Sequence, residues 1–96
     1  MAIAVLITRQ FKKGEIEIHQ ANELNLKLRA LATVQPGFIS GQSMISQDNP
    51  HKIIVLSRWA SREDWDNWVA TPTRKAFMEK LGKVLEYPEQ LEILSF

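Results

Sequence analysis

Two short runs, Ile3-Ala4-Val5-Leu6-Ile7 and Ile53-Ile54-Val55-Leu56, place aliphatic side chains at successive positions with no polar interruption. Neighbouring side chains of a strand point to opposite faces, so each run predicts a strand that is apolar on both sides and belongs in the middle of a covered sheet. Whatever fold the chain adopts must put these two strands at its centre and find cover for two faces.

The intervening segments supply helices. From Glu15 to about Thr33 the apolar residues Ala21, Leu24, Leu28, Leu31 and Ala32 recur at spacings of three and four, with Asn22, Asn25, Lys27 and Arg29 between them, which predicts an amphipathic helix. Gln35-Pro36-Gly37 ends it, because proline cannot continue a helix and glycine permits the sharp turn. Phe38 to Gln47 alternates weakly, and Gln47-Asp48-Asn49-Pro50-His51 has turn chemistry ahead of the second aliphatic run, so a β-hairpin is expected. Ser61 suits the N-cap of the next helix, with Asp64 placed as a reciprocal capping acid and Glu63 beside it at the positive end of the helix dipole. Thr71-Pro72 repeats the start signal, so this helix should break and resume with Phe77, Leu81, Val84 and Leu85 as its inner stripe. After Tyr87-Pro88 a last strand is expected from about Gln90 to Ser95.

The resulting order, βαββαβ, predicts a ferredoxin-like α+β fold over residues 1–96 as a single domain: an antiparallel sheet with both helices on one face and the first and third strands in the centre. Helices on one face leave the other apolar face wet. A second copy packed sheet against sheet, a homodimer, is the expected cover.

Composition narrows the partners. A net charge of +1 without a basic stripe excludes the electrostatic footprint of nucleic-acid binding. The chain has no cysteine, and His19 and His51 stand too far apart for metal-ligand spacing, so disulfides and metal are not expected. The apolar opening is shorter than the roughly 20 residues of a membrane span and has no basic leader, which predicts a cytoplasmic protein with no membrane partner.

All three tryptophans, Trp59, Trp65 and Trp68, fall within ten positions. Aromatic side chains bury large areas, so packing in a small core explains Trp59 and Trp65 without a ligand. Trp65 and Trp68 are three apart and share one face of the predicted helix.

Pro36-Gly37-Phe38-Ile39-Ser40-Gly41 and the segment Trp59-Ala60-Ser61-Arg62-Glu63-Asp64-Trp65-Asp66-Asn67-Trp68, with the Lys13-Gly14 pair after the first strand, resemble the antibiotic biosynthesis monooxygenase superfamily from about Ile3 to Leu94. The resemblance implies a dimeric α+β barrel with one pocket per subunit between helices and sheet. It implies an activity among cofactor-independent monooxygenases of aromatic quinols, haem-degrading monooxygenases and quinol-related enzymes, and a pocket position for Trp68, which ends the W-x-x-W pair. Haem-degrading relatives carry a histidine about ten positions further on, where this chain has Phe77 and Met78, and an asparagine near the end of the first strand, where Thr8 stands. Both departures count against haem. In quinol-oxidising relatives an asparagine can precede the tryptophan by about one turn; Asp64 takes that place here.

Thr8 and Arg9 end the first strand on opposite faces, so only one can face such a pocket. Arg74 is a candidate for holding a phenolate or carboxylate, its alternative being a solvated surface charge. Phe77 and Met78 are expected to line the pocket or to fill it. His19 and His51 are expected to be exposed and to serve no catalytic role.

Neither a nucleophile elbow nor a Gly-rich phosphate loop can be read in the chain. An electron-rich quinol or enol, once deprotonated, can itself reduce oxygen, so a protein that excludes water, holds the ring and stabilises the anion needs no cofactor and leaves almost no motif. The expected function is a homodimeric, cofactor-independent monooxygenase of a small aromatic or quinol-like compound. Trp68 would stack on the ring, and Thr8, Arg9 or Arg74 would supply polar contacts. The alternatives are a non-catalytic dimeric module that binds a small ligand, and a haem-binding or haem-degrading relative.

Overall fold

The two aliphatic runs lie side by side at the centre of one antiparallel sheet, in a computed structural model that describes residues Met1–Phe96. The elements are β1 (Ile3–Gln10), α1 (Ile18–Thr33), β2 (Phe38–Ile45), β3 (Lys52–Trp59), α2 (Arg62–Val69), α3 (Pro72–Gly82) and β4 (Gln90–Ser95). The strand order is β2-β3-β1-β4, the ferredoxin-like α+β arrangement, with the second helical region divided into α2 and α3.

Register decides which side chains meet the helices. Ile3 is opposite Trp59, Val5 opposite Ser57, Ile7 opposite Val55 and Arg9 opposite Ile53, and all eight are buried. The apolar members of this set form one core with Ala21 and Leu28 of α1, Trp65 and Trp68 of α2, and Leu81 of α3. The other face pairs Leu6 with Leu56 and Thr8 with Ile54. No helix covers it, and it carries half-buried Leu6, Ile54 and Leu56 between the exposed Met44 and Leu94.

Local chemistry sets the helix ends. α1 begins at Ile18 rather than at Glu15, because Ile16 turns into the core at 5% exposure and its carbonyl lies 3.1 Å from His51 Nε2, a contact that holds the segment in a non-helical path. At α2 the Ser61 hydroxyl accepts from the Asp64 N–H at 3.1 Å and donates to Asp64 Oδ2 at 2.9 Å. The acid therefore engages the capping hydroxyl rather than reaching back to the backbone. Thr71 does the same work between α2 and α3: its Oγ1 accepts from the Arg74 N–H at 3.2 Å and donates to the Trp68 carbonyl at 2.8 Å, with Pro72 opening the new helix. The inner stripe runs past the end of α3 to Leu85, which bridges to Phe11.

Gly37 links the site's two sequence motifs. Its φ of +81° is a conformation that side chains disfavour, and a Cβ there would run into the Asp64 carboxylate. Only a bare backbone lets the start of β2 lie this close to the capped end of α2, where the Gly37 carbonyl accepts from the Ala60 N–H at 2.7 Å. No helix is long and apolar enough to cross a membrane.

Candidate functional site

Trp59 ends β3, and Trp65 and Trp68 lie on successive turns of α2, all at 3% exposure or less. The Trp59 ring meets Phe38 edge to face at 5.4 Å and 88°, and meets Trp65 at 5.6 Å and 69°. Such contacts contribute about 0.5–1.5 kcal/mol each beyond the area they bury. Its indole N–H donates to Ser57 Oγ at 3.1 Å. The three indoles are at once core and wall, for all of them also border a cavity between the sheet and the helices.

The polar side chains of that cavity come from Arg9 of β1, Arg29 of α1, Ser57 of β3 and Arg74 of α3. Arg9 and Arg74 both line it, and both grip Glu89, Arg9 Nε on one carboxylate oxygen at 2.9 Å and Arg74 Nη2 on the other at 2.7 Å. Arg9 Nη1 also donates to Asn25 Oδ1 at 2.8 Å, and Asn25 Nδ2 donates to Ser43 Oγ at 3.0 Å. The Arg74 guanidinium carbon lies 5.4 Å from the centre of the Trp65 ring, within cation–π range. Burial pushes the Arg9 guanidinium below its ordinary pKa; the Glu89 charge and hydrogen bond oppose this, and the neighbouring Arg74 charge adds to it.

The cavity is small. It measures about 30 Å³ with the side chains as they stand, against the roughly 300–1,000 Å³ of pockets that hold drug-sized ligands. Half-buried Arg29 of α1 reaches across its border and donates to the Gly41 carbonyl of β2. Gly41 has no room to spare, since a Cβ there would press on the Phe38 ring at 3.2 Å. An aromatic ring does not fit this volume unless lining side chains move.

The structure brings Trp68, Arg9 and Arg74 to this cavity and leaves three other candidates outside it. Strand alternation settles Thr8: Arg9 faces the helices, so Thr8 lies on the uncovered face opposite Ile54 and cannot contact a ligand held here. Phe77 and Met78 do not border the cavity; both pack on the core from α3, and Met78 borders a surface depression with Lys12 and Tyr87 instead. Arg74 is not a solvated surface charge, having only 6% exposure. His19 is exposed beside Glu17 at 3.2 Å, while His51 is half-buried on the Ile16 carbonyl. These residues do not fit haem: the helix that would carry an axial histidine presents Phe77 and Met78 away from the cavity, which is far too small for a porphyrin. No group of three or more His, Cys, Asp or Glu side chains could hold a metal ion.

Arg29 at the cavity border, and Asn25 and Glu89 that hold its arginines, were not singled out from the sequence. Asn25 counts as a polar gap in the α1 stripe, yet it lies four residues after Ala21 and three before Leu28, the spacing of the stripe itself. That periodicity was a readable sign that it points inward. Glu89 left no such sign, because its partners are 80 and 15 residues away.

No curated protein sequence matches the chain. Solved structures match it closely in shape. A mutant form of SnoaB, a cofactor-independent oxygenase from Streptomyces nogalater, superposes with a TM-score of 0.87 at 10% identity, covering 99% of this chain and 92% of that one. Rv0793 from Mycobacterium tuberculosis gives 0.85 at 18% identity, covering 100% and 95%. A conserved protein from Methanosarcina mazei gives 0.83 at 19%, covering 97% and 90%. At such identities the likeness speaks for the fold alone. The profile of the antibiotic biosynthesis monooxygenase family matches residues 2–80, most of the chain, and the protein therefore belongs to that family.

Proposed function

We propose that the chain is a cofactor-independent monooxygenase of a small aromatic, quinol-like compound, working as a homodimer that packs through the uncovered sheet face. The observation that carries this reading is one cavity lined by three indoles and by the guanidiniums of Arg9, Arg29 and Arg74, in a member of a monooxygenase family. The structural likeness to SnoaB, itself a cofactor-independent oxygenase, supports the same direction.

The chemistry follows from what these groups do to an acidic ring. Buried positive charge favours the deprotonated form of a phenol or enol, so the arginines promote ionisation as the substrate binds. The enolate then gives electrons to oxygen. For a ring methylene flanked by aromatic rings, one oxygen atom stays on carbon as a carbonyl and the other leaves as water, with all the electrons for oxygen reduction coming from the substrate. Trp68 and Trp65 supply a flat apolar wall and help exclude bulk water.

Dimerisation is supported by Leu6, Ile54, Leu56, Met44 and Leu94, an apolar set on a face that no helix covers. A partner there would leave the cavity, on the opposite face, free to act.

The test is oxygen uptake by metal-free protein with a panel of naphthoquinols, anthrones and hydroquinones, alongside Trp68→Phe and Trp68→Ala. Saturable uptake that falls in folded Trp68 variants supports the oxygenase. Rates equal to the buffer blank throughout sink it in favour of a binding module.

A further inference from the structure

Charge does not balance around the cavity. Arg9 and Arg74 are both buried, and they share a single carboxylate, that of Glu89. No acidic side chain lines the cavity; Glu89 borders the surface depression beside Met78 and Tyr87 instead. Arg29 at the edge brings a further positive charge and spends a donor on a neutral carbonyl. A buried charge is ordinarily paired, because leaving it unpaired in a low-dielectric interior is costly.

A second observation points the same way. Arg74 Nε is buried and has no hydrogen-bond partner, the one buried side-chain nitrogen or oxygen so placed. The guanidinium is therefore held by Glu89 through Nη2 and by the face of Trp65, with a donor left over. A planar fork with one donor engaged and another unspent suits an anionic oxygen.

We propose that the cavity is a receptor for an aromatic monoanion, a ring bearing a carboxylate or phenolate oxygen that pairs with Arg74 while the ring lies against Trp65 and Trp68. This rests on the cavity being the ligand site of the proposed oxygenase, and it goes further in making charge the selected property. Glu89 keeps Arg9 and Arg74 together against their mutual repulsion. The ligand supplies the second negative charge that two arginines require.

The experiment uses redox-inert ligands, so that its outcome is independent of oxygen chemistry. Benzoate and its neutral isostere benzamide, and 2-naphthoate with 2-naphthamide, are titrated against the wild-type protein by tryptophan fluorescence and calorimetry. The acids should bind at least about tenfold more tightly than the amides, as a charge-assisted pair to a guanidinium demands. 4-Nitrophenol, whose phenolate absorbs in the visible and whose phenol does not, should bind as the phenolate even in mildly acidic buffer, which separates a phenolate ligand from a carboxylate. Arg74→Gln should reduce the acid-over-amide ratio to below about twofold; if that variant does not fold, Arg74→Lys, which keeps the charge and loses the fork, should reduce it partway. Equal binding of acid and amide, or no binding of any of these ligands, overturns the proposal while leaving oxygen uptake to decide the oxygenase separately.

Discussion

Arg9 on β1 and Arg74 on α3 hold the two oxygens of the same carboxylate, at 2.9 and 2.7 Å, with all three side chains at 9% exposure or less. Through Glu89, just ahead of β4, the pair ties the central strand to the last helix beside the cavity. Neutralising that carboxylate leaves two buried guanidiniums facing each other. Glu89→Gln should cost about 3–5 kcal/mol. For a domain of this size that is a fall in Tm of more than about 10 °C, read by circular dichroism. An unchanged Tm would mean that the shared ion pair is not formed in solution.

Gly37→Ala should destabilise the fold by about 1–2 kcal/mol, since the substitution meets both a positive φ and the Asp64 carboxylate. In an Asp64→Gly background, which removes the Asp64 Cβ at 2.5 Å together with the carboxylate, the steric part should disappear and the backbone part remain, so the same substitution should cost less there. Urea unfolding of the four proteins measures the difference; equal costs in both backgrounds would refute the close approach.

The three tryptophans should separate by role. Trp59 has 0% exposure and two edge-to-face ring contacts, so Trp59→Ala should cost about 3–5 kcal/mol and leave little folded protein at 37 °C. Trp68→Phe should keep the fold, losing about 1–2 kcal/mol, while lowering oxygen uptake or ligand affinity. A Trp68→Phe protein with wild-type uptake would place the ligand elsewhere.

Leu56→Lys puts a charge at the centre of the uncovered sheet face, opposite Leu6. If two copies pack there, the substitution should convert the dimer to a folded monomer, with an association constant at least about a hundredfold weaker. Sedimentation velocity at micromolar concentration reads this directly. An unaltered sedimentation coefficient would move the interface to another face.

Much of the architecture was legible because it rests on local rules. Ser61 and Thr71-Pro72 mark helix starts through hydrogen bonds within three residues, and both starts lie where those signals stand. The aliphatic runs required central strands, and β1 and β3 occupy the centre. The start of α1 was less legible, because Ile16 is drawn out of the helix by the core and by His51, which is distant in sequence.

The candidate site divides in the same way. Strand periodicity alone required that Thr8 and Arg9 face opposite sides, but only packing decided that Arg9 is the inner one. Helix spacing put Trp65 and Trp68 on one face. It could not say that Phe77 and Met78, one turn after Arg74 on the same helix, would turn from the cavity that Arg74 enters. The pairing of Arg9, Arg74, Asn25 and Glu89 joins four elements or loops over separations of up to 80 residues. Sequence alone determined the order of elements, the starts of α2 and α3 and the apolar faces, because these depend on periodicity and near-neighbour hydrogen bonds. Only the tertiary structure decided which charges meet and that one carboxylate serves two arginines, because burial and electrostatic pairing depend on distances through space that no local pattern encodes.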